Sequence, residues 1–229
     1  MNKEFPSIIE NIETRFEALR NKENAYFMQK YMKEKFRFYG IKTPERREVF
    51  KEMKSLFPKV FTEEFMSLCF ACFEKPEREW HQFGVDCLLQ NKKKLSVTHL
   101  SDLERLFLTH SWWDTVDMLA TTCVGVILQK ETRFRNEYIE RWRNHESIWL
   151  NRTTLLFQLK YKQDIDVDLL ADLIEQFRDS KEFFIQKAIG WILREYSATN
   201  PDWVRNYVTK TELKPLSKRE AIRKMSNEK

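Results

Sequence analysis

An aromatic side chain returns along this chain at a nearly constant interval. Trp80, Trp113, Trp149 and Phe184 stand 33, 36 and 35 residues apart, and a further segment opens at Ser217, 33 beyond Phe184. Upstream, Pro44-Glu-Arg-Arg47 returns as Pro76-Glu-Arg-Glu79 after 32 residues. An interval near 35 is the length of two short helices and two turns. Helix pairs of that size cannot each bury a full face, so they stack on their neighbours into a solenoid with one concave surface. The alternative is a single irregular helical bundle whose aromatics coincide by chance.

The rest of the chain agrees with helix. Four glycines and six prolines in 229 residues are too few for a sandwich or barrel, which needs a turn every eight to twelve residues. No glycine-rich strand-to-helix turn marks a doubly wound sheet. With 42% hydrophobic and 14% aromatic residues, disorder is excluded as well. Local signals predict individual helices. Ser7-Ile-Ile-Glu10 and Ser217-Lys-Arg-Glu220 read as capping boxes, and Ile8, Ile12, Phe16 and Leu19 form one apolar stripe. Gly40 is expected to end the second helix and Thr43-Pro44 to open the third, with Pro76 and Pro201 also in first turns. Leu169, Leu170, Leu173, Ile174 and Phe177 mark another amphipathic helix. The expected fold is all-α, a single domain over residues 1–229.

Charge is unevenly placed. Lys and Arg number 40 against 35 Asp and Glu, and residues 181–229, with 11 basic and 6 acidic side chains, carry the whole surplus. A surplus at one end is a local positive field suited to phosphates, although a solvated helical face also carries such runs. The four cysteines lie in apolar stretches, and the longest of these, Phe65 to Phe73, is about half a membrane span. A reduced, cytoplasmic protein with free thiols is expected, with no membrane association.

Several familiar chemistries are absent from the sequence. There is no His-Glu-x-x-His, phosphate loop, dinucleotide fingerprint or nucleophile elbow. Cys69-Phe-Ala-Cys72 has the spacing of half a zinc site but lacks a second pair, and His81, His99, His110 and His145 are scattered. No metal and no cofactor are expected. Lys92-Lys-Lys94 reads as a solvated loop.

Ser111-Trp-Trp-Asp-Thr-Val-Asp117 is different. Trp113 and Asp117 are four apart and share a helix face, while Trp112 is turned away toward the core. Asp114 suits a helix start, but no cap explains Asp117, a turn further in. Lys187, Trp191 and Arg194 fall at i, i+4 and i+7, one basic-aromatic-basic stripe, and Arg152 and Lys160 are nearly aligned eight residues apart. Any one of these helices could hold its indole in the core with the cations as a solvated rim. Three on neighbouring rungs favour a functional surface, where cations neutralise phosphates and indoles offer flat faces to sugars or bases.

These segments carry a family resemblance. Ser-Trp-Trp-Asp-Thr-Val-Asp at 111–117, Ile-Trp-Leu-x-Arg at 148–152, Phe-Gln-Leu-Lys-Tyr-Lys at 157–162 and the block from Lys181 to Tyr196 resemble the AlkD family of DNA alkylation repair glycosylases. Gly-Ile-x-Thr-Pro-Glu-Arg-Arg at 40–47 and Leu-Ser-Lys-Arg-Glu-Ala-Ile at 216–222 extend the likeness over nearly the whole chain. The resemblance implies a superhelical solenoid of HEAT-like helix pairs with a basic concave groove holding double-stranded DNA. It implies excision of cationic N3- and N7-alkylated purines. The sequence gives no basis for a stable oligomer, and a monomer is expected.

Matched by position, Asp117 takes the place of the catalytic aspartate, Trp113 and Trp191 that of the aromatic pair beside the deoxyribose, and Arg152 that of a basic residue lining the site. Lys160 and Arg194 match groove cations, and Tyr31 an N-terminal tyrosine near the duplex. Arg47, Lys187, Lys218 and Arg219, from the matching segments, are assigned to DNA binding with them. Asn151 and Thr153-Thr154, beside Arg152, depart from the family pattern. A non-catalytic module binding damaged or branched DNA is the competing reading, and a protein-binding scaffold a third.

Overall fold

A computed structural model describes residues 4–225, and they form helices joined by short connections. Among the described residues the one extended pairing is an isolated parallel bridge between Arg37 and Glu77. Among the described residues no helix is long and apolar enough to cross a membrane. The chain divides into two compact units, Met1–Lys92 and Lys93–Lys229.

The first unit holds α1 (Phe5–Ala18), α2 (Lys22–Tyr31), α3 (Thr43–Leu56), α4 (Pro58–Glu63), α5 (Phe65–Phe73) and α6 (Arg78–Gln90). The stripe read from the sequence is the buried face of α1: Ile8, Ile12 and Phe16 are fully covered, and Leu19 packs beside them. Phe16 meets Trp80 and Phe83 of α6 at centroid distances of 5.1 and 5.9 Å. Burial of each such side chain contributes about 1.5–3 kcal/mol.

Glu79, one residue before Trp80, is fully buried and charged with a structural task. Its carboxylate accepts the backbone N–H groups of Tyr39, Gly40 and Ile41 at 3.1, 2.8 and 3.1 Å, pinning the connection between α2 and α3 to α6. Burial pushes its pKa up, and those three donors pull against the rise.

Several expected boundaries move. α1 starts at Phe5 with Pro6 in its first turn, so Ser7 lies inside the helix rather than capping it. α15 (below) begins at Pro215 for the same reason, and Ser217 gives its hydroxyl to the Gln186 carbonyl at 3.0 Å instead of to a cap. In both cases proline supplies the preset φ of a first turn, and the helix starts two residues ahead of the serine. Gly40 does not end α2, which stops at Tyr31. It has φ +92° within the following connection, where a Cβ would lie 2.0 Å from the Asn21 carbonyl oxygen. Pro76 falls outside α6, ahead of its N-cap residue Glu77. Thr43-Pro44 does open its helix.

The second unit contains α7 (Leu100–Leu108), α8 (Trp113–Met118), a π-helical segment (Leu119–Val124), α9 (Gly125–Lys130), α10 (Thr132–Arg143), α11 (Ile148–Leu156), α12 (Val167–Phe177), α13 (Phe183–Tyr196), α14 (Pro201–Lys210) and α15 (Pro215–Ile222). Pro201 opens α14 as expected. Asp166 caps α12 by accepting the Leu169 N–H at 3.0 Å, and Leu170, Leu173 and Ile174 form its buried side. The expected stripe is therefore a core face.

These helices fall into two rows. In one, α8, α11, α13 and α15 pack on each other in order. Trp112, at the N-cap of α8, meets Trp149 of α11 at 5.5 Å and Phe184 of α13 at 5.0 Å, while Trp149 and Phe184 meet at 5.0 Å. The recurring aromatics thus become contacts between successive rungs, with Trp112 in the place the interval gave to Trp113 and both indoles half-buried. In the other row polar bonds join neighbours. Glu104 of α7 accepts from Trp142 Nε1 of α10 at 2.7 Å, Arg143 of α10 binds Asp172 and Gln176 of α12, and Tyr207 of α14 donates to the Ala171 carbonyl of α12 at 3.3 Å.

Candidate active site

Asp117 lies in the last turn of α8, with only 13% of its side chain exposed. Arg152 of α11, 5% exposed, grips it with two parallel bonds: Nε to Oδ1 at 2.7 Å and Nη2 to Oδ2 at 2.8 Å. The remaining guanidinium nitrogen, Nη1, donates to the Phe184 carbonyl at the start of α13. One arginine therefore ties three consecutive rungs together at the carboxylate. The fork fixes the plane of the carboxylate as a lysine could not. Burial raises the Asp117 pKa, and the Arg152 hydrogen bonds and charge pull it back.

The helix carrying Asp117 does not continue regularly. From Leu119 to Val124 it widens to π-helical bonding before α9 resumes at Gly125. Such widened turns concentrate at functional sites because they re-aim side chains without breaking the helix. Here the segment is held from both ends. Thr121 Oγ1 donates to the Asp117 carbonyl at 2.8 Å, Lys160 Nζ to Thr122 Oγ1 at 2.6 Å and Tyr161 Oη to the Gly125 carbonyl at 2.6 Å.

Trp113 stands one turn before Asp117 on the same helix, half-buried. Trp191, also half-buried, lies on α13 with Lys187 and Arg194, as the spacing predicts. Those two cations are not a free basic pair: both bind Glu220 of α15, Lys187 at 3.1 Å and Arg194 at 2.5 Å. Lys160 is exposed but does not share a helix with Arg152, because α11 ends at Leu156; a turn carries Lys160 to Thr122 and to the rim of a cavity of about 570 Å³ that also includes Lys162, Glu195 and Tyr196. Lys218 and Arg219 are exposed on α15. Tyr31 and Arg47 belong to the first unit. Tyr31 ends α2 with 69% exposure, and Arg47 borders a cavity of about 390 Å³ beside Phe50, Lys51 and Lys54 of α3.

Among the described residues, no group of three or more His, Cys, Asp or Glu is placed to hold a metal ion, and all four cysteines are buried and unbridged. The Cys69–Cys72 spacing reflects two thiols in a buried helix; burial pushes the Cys72 thiol far up, which keeps it protonated. Asn151, one of the departures from the family pattern, uses its side-chain amide to satisfy the carbonyls of Trp142 and His145 at 2.9 and 3.0 Å. It braces the end of α10 and leaves Arg152 untouched. Sequence reasoning did not anticipate the Phe184 carbonyl, Thr122 or Glu220 as partners of the site. Their signal was the repeat interval itself, since Asp117 and Arg152 are 35 residues apart and Arg152 and Phe184 are 32 apart.

No curated protein matches the chain. A solved structure described as a predicted DNA alkylation repair enzyme from Enterococcus faecalis is 33% identical, with a TM-score of 0.82 over 91% of this chain and 97% of that one. Residues 12–225 match the family described as DNA alkylation repair enzyme, and the chain belongs to that family.

Proposed function

We propose that this member of the family is a DNA glycosylase that hydrolyses the N-glycosidic bond of cationic N3- and N7-alkylated purines in duplex DNA. The observation that carries the reading is a carboxylate, Asp117, nearly buried and held in a fixed plane by Arg152, one turn from the half-buried indole of Trp113. Ordinary glycoside cleavage uses two carboxyl groups, one to protonate the leaving oxygen and one to support the sugar. An N3- or N7-alkylated purine already carries positive charge and leaves as a neutral base, so no proton donor is required. What remains is to stabilise an oxocarbenium-like deoxyribose and to place water. Arg152 takes one lone pair from each carboxylate oxygen, leaving others for a water or for the anomeric region. Trp113 and Trp191 present π faces to the cationic sugar.

In this reading Lys160, Lys187, Arg194, Lys218 and Arg219 contact the phosphodiester backbone on the second unit, and Tyr31 and Arg47 contribute from the first. In this reading the HEAT-like helix row of the second unit, α8, α11, α13 and α15, carries that unit's DNA-contacting face.

The test is incubation with duplex DNA containing 7-methylguanine, followed by detection of free base and an abasic site. Asp117→Asn is expected to slow release ~100- to 1,000-fold, the usual cost of one preorganised electrostatic group. An Asn variant that cuts at the wild-type rate rejects the assignment of Asp117.

A further inference from the structure

Glu220 sits in α15 among exposed neighbours, Lys218 and Arg219, yet is itself only 8% exposed. The sequence assigns it to a cap, where a glutamate would be solvated. Instead its two oxygens are taken by α13: Oε1 lies 3.1 Å from Lys187 Nζ and Oε2 lies 2.5 Å from Arg194 Nη1. The two helices come together because residue 190 is glycine. A Cβ there would stand 2.4 Å from Glu220 Cβ and 2.9 Å from the Ser217 carbonyl oxygen. Lys187, Trp191 and Arg194 share one face of α13, so the carboxylate binds both cations that straddle the indole. Both keep an open side, with 36% and 19% of their side chains exposed. Both cations together hold Glu220 below the usual carboxylate range, so it stays ionised.

The charge the stripe presents to solution is therefore nearer one than two. For a DNA-binding surface this matters in a particular way. Attraction between cations and phosphates supplies essentially all non-specific affinity, and each neutralised phosphate adds about 0.9 to the slope of log K against log salt. Specificity is the ratio of damaged-site binding to that background.

We propose that Glu220 is a specificity-determining residue, a built-in counter-anion that discounts the pull of Lys187 and Arg194 on undamaged backbone beside Trp191. Retention on DNA then depends more on contacts at the lesion than on general attraction. The proposal rests on the DNA-binding reading of this face and names what tunes it.

The experiment compares wild type, Glu220→Gln, Lys187→Gln and the double variant in binding to an undamaged duplex over a range of salt, with thermal melting of each. Glu220→Gln is expected to bind roughly ten-fold more tightly at low salt, with a slope steeper by about 0.9, and to converge on wild type at high salt. Lys187→Gln alone should lower the slope by a similar amount, and the double variant should return it to the wild-type value. If Glu220→Gln matches wild type and the double variant matches Lys187→Gln, the proposal is overturned. It is overturned equally if both Glu220 variants lose their cooperative melt, since Glu220 is then a structural brace. Base release by wild type is measured in parallel. A wild type that fails to bind duplex overturns the DNA reading itself, whereas one that binds without any response to Glu220 overturns only this inference.

Discussion

At the scale of residues, the Asp117–Arg152 pair carries the proposed chemistry and makes stability depend on pH. A buried carboxylate left without its cation costs about 3–5 kcal/mol. Arg152→Met should therefore lower the melting temperature. The deficit should also shrink in acid. The folded-state pKa of Asp117 is already raised by burial, and removing Arg152 raises it further above the unfolded value of about 3.9. A group with a raised carboxyl pKa binds its proton more tightly when folded, so its penalty is full above the folded pKa and fades as pH falls through it. Melting curves at pH 8 and pH 5 check this; an equal deficit at both rejects the linkage. For the proposed base release, the raised pKa predicts that a pH profile of wild type has its acid limb above the ordinary aspartate range. The sequence showed that Asp117 needed an explanation, since no cap accounted for it, and it singled out Arg152 separately. Their pairing stayed hidden because they lie on different helices, and only the 35-residue spacing joins them.

At the scale of elements, close approach and irregular winding position the site. Gly190→Ala would force α15 away from α13, because the backbone carbonyl of Ser217 cannot swing aside as a side-chain tip can. A loss of about 1–3 kcal/mol is expected, read as a lower denaturation midpoint at unchanged m-value; an unaltered midpoint shows that the helices part at no cost. The π-helical segment invites a sharper test. Deleting one residue within Leu119–Val124 would remove the extra residue that a π turn accommodates, so that the helix closes to regular α geometry, α9 keeps its register and the aim of Asp117 and its bond from Thr121 change. The chain should still fold as helix by circular dichroism but lose base release. Retained activity would mean that the widened turn does not aim the carboxylate. Helix starts were legible where proline opens an element cleanly, as at α3 and α14. They were misread at α1 and α15 because a serine–glutamate spacing also occurs just inside a proline-led first turn. The widened turn left no trace in the sequence, and the bonds that hold it come from Lys160 and Tyr161, more than thirty-five residues on.

At the scale of the molecule, the aromatic interval proved the most informative feature, because it reports contacts between rungs and not the shape of any one helix. Within the second unit, bonds from α8 to α11 and from α11 to α13 converge on Arg152. Native-state hydrogen exchange should accordingly show the slowest amides of these three helices opening with one shared free energy. Three distinct plateaus would separate them. The same convergence bears on biosynthesis. A nascent chain that has left the ribosome as far as residue 150 holds an aspartate with nothing to orient it, and one ending near 180 still lacks the carbonyl that anchors the arginine. The centre thus assembles only once α13 has been made, and a product terminated ahead of it is left without the assembled centre.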